Sequence, residues 1–227
     1  MVSPPSLGKL FREALDIPRV VAAPLLRPAS PGKLANGEPV LVIPGFLSDD
    51  NPTSRLRRTF DAAGFRCSGW ELGFNRGIRT DIVERLAARV SEVSSAAGGQ
   101  KVALVGWSLG GLYARELGHH IPNSLRLIVT LGSPFAGDLR ANNAWRLYEL
   151  LNSHKVDALP IATNFTRKPP VHTVAVWSPI DGIVSPETAR GSPDQSDEQI
   201  ELRETHLGFA STRTGAERIV RIVADRI

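Results

Sequence analysis

The sequence predicts an α/β fold: a doubly wound, mostly parallel sheet with helices on both faces. Short apolar segments alternate with longer segments whose apolar residues recur at helical spacing. One strand segment, Val102–Val105, is apolar on both faces, which is typical of a strand buried inside a parallel sheet. Because right-handed crossovers join parallel strands, the loops that follow the strands are expected to gather at the carboxyl edge of the sheet.

The first two strands come from Pro39–Ile43 and from Phe65–Trp70. Between them lies a helix that Gly64 ends, with Leu56 and Phe60 on one face. A longer helix begins near Asp81, and four apolar residues line one side of it: Ile82, Leu86, Val90 and Val93.

Residues 101–113, Lys-Val-Ala-Leu-Val-Gly-Trp-Ser-Leu-Gly-Gly-Leu-Tyr, combine a strand, a tight turn and the start of a helix. Gly106 and Gly110 flank Ser108 at the G-x-S-x-G spacing of a nucleophile elbow. Such a turn forces the serine into a strained backbone conformation, and only glycine neighbours leave room for it. We therefore expect the Ser108 hydroxyl to project beyond the strand, with the Leu109 N–H pointing to the same place.

The second half of the chain adds three strands and a closing helix. The strands are predicted at Leu125–Leu131, Val171–Trp177 and Gln199–Arg203, and the apolar face of the helix contains Ala216, Ile219, Val220 and Val223. Residues 133–170 are too long for a plain connection and include a helical pattern around Trp145. We predict that 133–170 form a cap or lid insertion.

Domain organisation follows from this order of elements. Residues 39–227 form one domain, and residues 1–38 form an N-terminal arm packed on or preceding it. In the arm, 7–17 has a helical pattern that Pro18 ends, and Val20–Leu26 is expected to be extended. The apolar face of the arm is expected to pack against its own domain, which is favoured over weak contact with a membrane surface.

Composition excludes several classes of function. The net charge of +4 over 227 residues is small and scattered, so a nucleic-acid partner is not expected. The chain has neither a transmembrane run nor a signal-peptide pattern, and a single cysteine, so a cytoplasmic location is expected. Motifs for metals and nucleotides are absent, so we expect neither a metal nor a cofactor.

The elbow and its context resemble the α/β-hydrolase superfamily, specifically its serine esterases and lipases. Two further stretches of the sequence are similar to that family: Leu131-Gly132-Ser133-Pro134-Phe135 and Asp181-Gly182-Ile183-Val184. The resemblance covers nearly the whole chain from about Pro39. It implies a reduced α/β-hydrolase fold with a short helical cap.

A serine nucleophile needs a base, and histidine is the natural choice because its unperturbed pKa lies near 6.5. Of the five histidines, His206 lies in a loop between the last strand and the last helix, where the family has its catalytic histidine. Asp181 follows a strand and completes the order Ser, Asp, His of α/β-hydrolases. The resemblance therefore implies a triad of Ser108, Asp181 and His206.

The resemblance also implies an oxyanion hole and a substrate pocket. In place of the His-Gly of most relatives the chain has Pro44-Gly45-Phe46, and the backbone N–H of Phe46 would act together with that of Leu109. For substrate contact we single out four residues at the elbow and in the cap: Trp107, Trp145, Leu147 and Leu151. These apolar residues favour an acyl substrate, although the same pattern fits residues that are simply buried under the cap.

The resulting hypothesis is a cofactor-independent serine hydrolase of carboxylic esters with an apolar acyl chain. Two alternatives stay open at this level: an acyltransferase that uses the same triad, and a non-catalytic binding protein on the same fold. The sequence does not define the alcohol part of the substrate or the oligomeric state.

Overall fold

A computed structural model describes residues 3–227 and contains one six-stranded sheet in which every neighbouring pair of strands is parallel. The order of strands across the sheet is β2-β1-β3-β4-β5-β6, so the doubly wound parallel sheet is confirmed. The strands are β1 Pro39–Ile43, β2 Arg66–Gly69, β3 Val102–Trp107, β4 Leu125–Leu131, β5 Thr173–Trp177 and β6 Glu198–Glu201. The helices are α1 Leu7–Ala14, α2 Ile17–Val21, α3 Ser54–Ala62, α4 Ile82–Ala96, α5 Leu109–His120, α6 Trp145–Leu151, α7 Pro186–Arg190, α8 Gly208–Ser211 and α9 Arg213–Ala224, with a short 3₁₀ helix at Pro122–Ser124.

The apolar strands form two core layers, one on each face of the sheet. Alternate residues of a strand point to opposite faces, so Leu41 and Leu104 join the layer that contains α4 and α5. Val42 and Val105 join the opposite layer, which contains α3 and α9. Every residue of β1 and β3 is buried, as expected for central strands covered by helices on both faces.

Strand register brings the functional loops together. Ile43 at the end of β1 lies beside Gly106 near the end of β3, and Trp107 lies beside Leu131 at the end of β4. Further along, Leu131 pairs with Val176 of β5. The loops that begin at residues 44, 108, 132 and 178 therefore leave the same edge of the sheet.

The N-terminal arm is helical over more of its length than the sequence suggests. Pro18 does not end the helical region: it occupies the first turn of α2, where the missing N–H of proline has no helical partner to lose. The prediction of an extended arm from Val20 is therefore wrong for Val20–Val21.

The arm packs on the domain through its polar face. Glu13 and Asp16 are buried, with 3% and 4% exposure, whereas Phe11 and Leu15 are 78% and 74% exposed. The expected burial of the apolar face is therefore wrong, since hydrogen bonds made by the two carboxylates fix the orientation of the arm.

The segment 133–170 contains α6 and covers part of the carboxyl edge of the sheet. Arg115 of α5 anchors it from below: this fully buried guanidinium donates to the carbonyls of Phe165 at 2.5 Å and Arg167 at 3.0 Å. Its plane lies 3.9 Å from the ring centre of Phe135. These contacts hold residues 133–170 against the helix that follows Ser108.

Candidate active site

Ser108 occupies a strained turn between β3 and α5. Its backbone angles are φ 55° and ψ −121°, a left-handed value of φ that a serine rarely adopts. A Cβ atom at Gly106 would lie 2.4 Å from the carbonyl oxygen of Gly110, and one at Gly110 would lie 2.3 Å from that of Ile43. The glycines on either side are therefore required by packing, as the motif predicts.

The loop after β1 passes directly beside the serine. A Cβ atom at Gly45 would lie 3.1 Å from the Cβ of Ser108. A side chain at this position would make a tight contact with Ser108, and glycine avoids that contact.

His206 and Asp181 form a buried pair. Nδ1 of His206 lies 2.8 Å from Oδ2 of Asp181, and both side chains are at most 3% exposed. The other carboxylate oxygen of Asp181 accepts the N–H groups of Ile183 and Val184, each at 2.8 Å. Three hydrogen bonds thus fix the acid, and the acid fixes the orientation of the imidazole.

The environment of His206 favours its protonated form. Burial alone would lower the pKa of His206, but the nearby Asp181 carboxylate and its hydrogen bond outweigh burial, and the charge of Glu13 adds to them. The pKa of His206 is therefore raised above the ordinary value of 6.5. A base with a raised pKa is a stronger proton acceptor and stabilises the imidazolium that forms on proton transfer.

The last residue of β4 and the residue after it contact Ser108 and the His206–Asp181 pair respectively. The Ser108 N–H donates to the carbonyl of Leu131 at 2.8 Å. A Cβ atom at the next residue, Gly132, would lie 2.9 Å from Oδ2 of Asp181 and 3.0 Å from Nδ1 of His206. Among the hydrogen bonds of residues 3–227, none joins the Ser108 hydroxyl to His206, and such catalytic bonds are often long until a substrate is bound.

Two backbone N–H groups flank the elbow. Leu109 is the first residue of α5, and Phe46 follows Gly45 in the loop beside Ser108. Within the described chain, no oxygen accepts a hydrogen bond from either N–H. Both donors are thus available to an oxygen atom bound next to Ser108.

Asn75 organises the loop that carries Phe46, and the sequence analysis missed it. This residue is 1% exposed; its side-chain amide donates to the carbonyl of Pro44 at 3.0 Å, and its main-chain carbonyl accepts the N–H of Leu47 at 2.8 Å. Leu47 itself has a left-handed φ of 55°, so Asn75 stabilises a strained loop. Neither a motif nor a periodicity marks Asn75, because its partners are about 30 residues away in sequence.

Glu13 also lies at the site and was missed. Its carboxylate accepts backbone N–H groups from Gly182, His206 and Leu207 at 2.8 to 2.9 Å. An acidic residue in an amphipathic helix is typically read as solvent-exposed, which concealed its contact with the histidine loop.

An apolar cavity of about 560 Å³, including its mouth, opens beside Ser108. Its wall includes the side chains of Ile78, Leu112, Trp145 and Tyr148. The two residues whose N–H groups flank the elbow, Phe46 and Leu109, also line it. Of the predicted substrate-contacting residues, only Trp145 lines this cavity.

The other three residues predicted to contact substrate, Trp107, Leu147 and Leu151, do not line the cavity. Leu147 and Leu151 lie on the outer side of α6, 44% and 54% exposed, because Tyr148 occupies the inward face of this short helix. Trp107 points into the core layer beneath the sheet, where its indole N–H donates to the carbonyl of His206 at 3.0 Å. Its contact is therefore with the histidine loop and not with the cavity.

Within residues 3–227, no group of three or more His, Cys, Asp or Glu side chains is arranged to hold a metal ion. No helix in this range is both long and apolar enough to cross a membrane.

Comparison with known proteins identifies the fold. No protein-family model matches the chain, and no curated protein is similar to it in sequence. Solved structures do match. A monoacylglycerol lipase from Paleococcus ferrophilus has a TM-score of 0.59 at 15% identity, over 85% of this chain and 97% of that one.

Two further structures are similar to the same extent. The Pyrococcus furiosus esterase Pf2001 gives a TM-score of 0.56 at 13% identity over 85% of this chain and 83% of that one. A thioesterase domain from the curacin biosynthetic pathway gives 0.56 at 13% identity over 86% and 93%. At this identity the likeness shows the fold alone, and that fold is the one the sequence predicts.

Proposed function

We propose that this chain, which has the α/β-hydrolase fold, is a serine hydrolase that cleaves carboxylic esters. The observation that carries the proposal is the buried His206–Asp181 pair beside a strained serine turn. A buried ion pair and a left-handed serine both cost folding free energy, of the order of 1–3 kcal/mol for the backbone alone, and such costs concentrate at functional sites.

In the proposed reaction, the Ser108 oxygen attacks the ester carbonyl carbon while Nε2 of His206 takes the hydroxyl proton. Asp181 holds the imidazole in the tautomer that leaves Nε2 free and stabilises the imidazolium. The same proton then passes to the leaving alcohol, and an acyl-enzyme is left on Ser108. Water, deprotonated by His206, releases the acid and regenerates the serine.

The tetrahedral oxygen formed in each step is assigned to the N–H groups of Phe46 and Leu109. The amino end of α5 adds its partial positive charge at the same point. The side chains of these two residues line the cavity, so an acyl carbonyl bound there would have its chain among apolar residues.

The substrate class proposed is a small-molecule ester with an apolar acyl chain. Support comes from the cavity wall, in which Ile78, Leu112, Trp145 and Leu159 are all apolar. A monoacylglycerol lipase and an esterase among the similar structures agree with this class.

Acyl transfer to an alcohol or amine is the second candidate, because the same acyl-enzyme can react with an acceptor other than water. The enclosing wall of α6 and the cap would favour it by limiting access of water. Product analysis with an added acceptor alcohol distinguishes the two: a new ester in place of free acid would indicate transfer. Turnover of any acyl substrate that depends on Ser108 would exclude a purely non-catalytic binding protein.

The test is hydrolysis of p-nitrophenyl esters of increasing acyl length by the unmodified chain, by Ser108→Ala and by Ser94→Ala. Ser94 lies in α4, where its hydroxyl bonds to the carbonyl of Gln100, so it controls for loss of a serine elsewhere. We expect kcat to fall by about 10⁴- to 10⁶-fold in Ser108→Ala and to stay unchanged in Ser94→Ala. Equal activity of the unmodified chain and Ser108→Ala would contradict the proposal.

A further inference from the structure

Glu13 joins the N-terminal arm to both loops that carry the His206–Asp181 pair. One carboxylate oxygen accepts the N–H of Gly182 and the N–H of His206, each at 2.8 Å. The other oxygen accepts the N–H of Leu207 at 2.9 Å. These partners are 169 to 194 residues away in sequence, so the contact exists only in the folded chain.

The two loops follow neighbouring strands, β5 and β6, and Glu13 bonds to both loops beyond the ends of those strands. Gly182 follows the acid after β5, and His206 follows β6. One carboxylate bonded to both main chains fixes the distance between the loops, and hence between the acid and the imidazole. The three N–H donors partly offset the cost of burying this carboxylate, and they hold it in one orientation.

The arm approaches Gly182 so closely that this position has no room for a side chain. A Cβ atom at Gly182 would lie 2.4 Å from the carbonyl oxygen of Lys9 and 2.8 Å from Cγ of Glu13. Asp16 adds a second tie, because Thr205 donates to its carboxylate at 2.5 Å. The arm is therefore seated against the residues on either side of the pair.

We infer that Glu13 is a positioning residue for the His206–Asp181 pair, so that the arm is part of the catalytic unit. The inference rests on the proposed function, and it assigns Glu13 no contact with substrate. Glu13 acts through the main chains of His206 and Gly182 and through its negative charge near the imidazole.

The negative charge of Glu13 has a measurable effect on His206 that an uncharged contact would not have. Burial raises the pKa of Glu13, while the charge of His206 and the three N–H bonds oppose that rise. Asp181 and Glu13 are the charged groups that act on His206, and both favour the imidazolium. Removal of the Glu13 charge should therefore lower the pKa of His206.

The test compares Glu13→Gln and Glu13→Ala with Asp197→Asn, a matched control. Asp197 accepts the N–H of Thr173 at 2.8 Å, at the opposite edge of the sheet. Activity is expressed per active site labelled by a fluorophosphonate, so that loss of folded protein does not count. We expect Glu13→Ala to lower kcat about 10²-fold with KM little changed, because small displacements of catalytic groups have effects of this size.

Glu13→Gln should recover part of kcat, because its amide oxygen can still accept two of the N–H groups. The acid limb of kcat/KM should move to lower pH in both Glu13 variants and stay in place in Asp197→Asn. If Glu13→Ala keeps the kcat and the pH profile of the unmodified chain and only melts at a lower temperature, the contact is structural and the inference is wrong.

A second readout separates this inference from the proposed function. The His206 ring can be titrated by NMR in the Ser108→Ala chain, with and without Glu13→Gln, and this needs no turnover. A lower pKa of His206 with Glu13→Gln supports the inference even if no ester is hydrolysed, and an unchanged pKa refutes it.

A separate observation concerns the outer surface of the arm. Seven large apolar side chains are exposed there, from 36% for Leu10 to 86% for Leu25. We call this the arm surface; it consists of Leu7, Leu10, Phe11, Leu15, Ile17, Val21 and Leu25.

The acidic side chains of the arm are buried, and most of its basic side chains are exposed. Residues 3–31 contain two acids, Glu13 and Asp16, and both are buried against the domain. Three of the four cations in this range, Arg12, Arg19 and Arg27, are exposed, and Arg19 is paired with the carboxylate of Asp16. The surface turned to solvent is therefore apolar and cationic with no exposed carboxylate, which complements an anionic lipid surface.

The arm surface continues toward the cavity. Asn143, just before α6, donates to the carbonyl of Pro5 at 3.1 Å, which ties the cap to the start of the arm. On the outer side of α6, Leu147, Leu150 and Leu151 are also exposed. The apolar surface thus lies at the same edge of the molecule as the cavity beside Ser108.

The geometry points to the arm surface as a binding site for anionic membrane lipid. Aliphatic and aromatic side chains would enter the headgroup region while Arg12 and Arg27 meet anionic headgroups.

Sedimentation with vesicles tests this inference. We expect the chain to sediment with vesicles of phosphatidylcholine mixed with phosphatidylglycerol, more weakly with phosphatidylcholine alone, and less at high salt. The double variant Phe11→Ser, Leu15→Ser should lose sedimentation, whereas Phe74→Ser, which changes an exposed aromatic outside the arm, should not. No sedimentation of the unmodified chain would refute the inference, as would a dimer in solution that the double variant converts to a monomer.

Discussion

The indole N–H of Trp107 donates to the main-chain carbonyl of His206 at 3.0 Å. The residue directly before the candidate nucleophile thus holds the residue that carries the candidate base, across 99 positions of sequence. The two rings lie 5.8 Å apart, centre to centre.

Trp107→Phe tests the importance of this bond. Phenylalanine keeps most of the buried ring and removes the donor, leaving the His206 carbonyl without its partner. We expect the free energy of unfolding to fall by about 1–3 kcal/mol, the usual cost of an unsatisfied buried acceptor. Calorimetry measures this change in the free energy of unfolding. In steady-state kinetics, kcat should fall by a larger factor than KM changes. A loss of substrate affinity alone would instead support the earlier assignment of Trp107 to the substrate pocket.

Asp181→Asn should preserve the loop and remove the function of the acid. The amide oxygen can accept the N–H groups of Ile183 and Val184, while the amide NH₂ faces Nδ1 of His206. The imidazole then takes the tautomer with its proton on Nε2, where it cannot accept the serine proton. By analogy with serine proteases, kcat should fall roughly 10⁴-fold. An unchanged circular dichroism spectrum would show that the fold is intact, and near-normal activity would contradict the assignment.

The pH dependence of kcat/KM should reflect the raised pKa of His206. The base must be neutral to accept a proton, so activity rises with pH through the pKa of His206. The midpoint of this acid limb is expected above 6.5. The contribution of His206 to stability has the opposite dependence: it is fully present below the unfolded pKa and is lost as pH rises through the folded pKa. A midpoint below 6.5 would contradict this account.

Asn75→Ala should disorder the loop that contains Phe46, the proposed oxyanion donor, and leave Ser108, Asp181 and His206 in place. The change removes the donor to Pro44 and the acceptor for Gly77 and Tyr113, so the Phe46 N–H loses its fixed direction. Loss of one oxyanion donor typically lowers kcat by about 10²- to 10³-fold. Steady-state kinetics with the optimal ester measures this, and labelling of Ser108 by a fluorophosphonate should slow in parallel. Normal kcat would exclude Phe46 as an oxyanion donor.

Local signals were enough to identify the elbow in the sequence. Gly106, Ser108 and Gly110 lie within five consecutive residues. The apolar pattern before them is typical of a buried strand, and a helix-forming segment follows them. The parallel sheet followed from the same alternation, because strands buried on both faces are apolar throughout. Asp181 and His206 were predicted from their loops after strands together with the resemblance to α/β-hydrolases, and their roles stay a prediction.

Contacts between distant segments were not predictable in this way. Glu13 and Asn75 bond to main-chain groups far away in sequence, and backbone partners leave no trace in residue pattern. The outward direction of Leu147 and of Phe11 was missed for a related reason: periodicity shows that apolar residues share a face but not which way that face turns. In the arm, two buried carboxylates decided the direction against the hydrophobic face.

Intact-protein mass spectrometry after reaction with a fluorophosphonate tests the central claim most directly, because this reagent is captured by an activated serine and by its oxyanion hole. The account requires one adduct per chain, located on the peptide that contains Ser108, with Ser108→Ala unlabelled and His206→Ala labelled far more slowly. An unmodified chain that stays unlabelled, or an adduct on another residue, would contradict the assignment of Ser108 as the nucleophile.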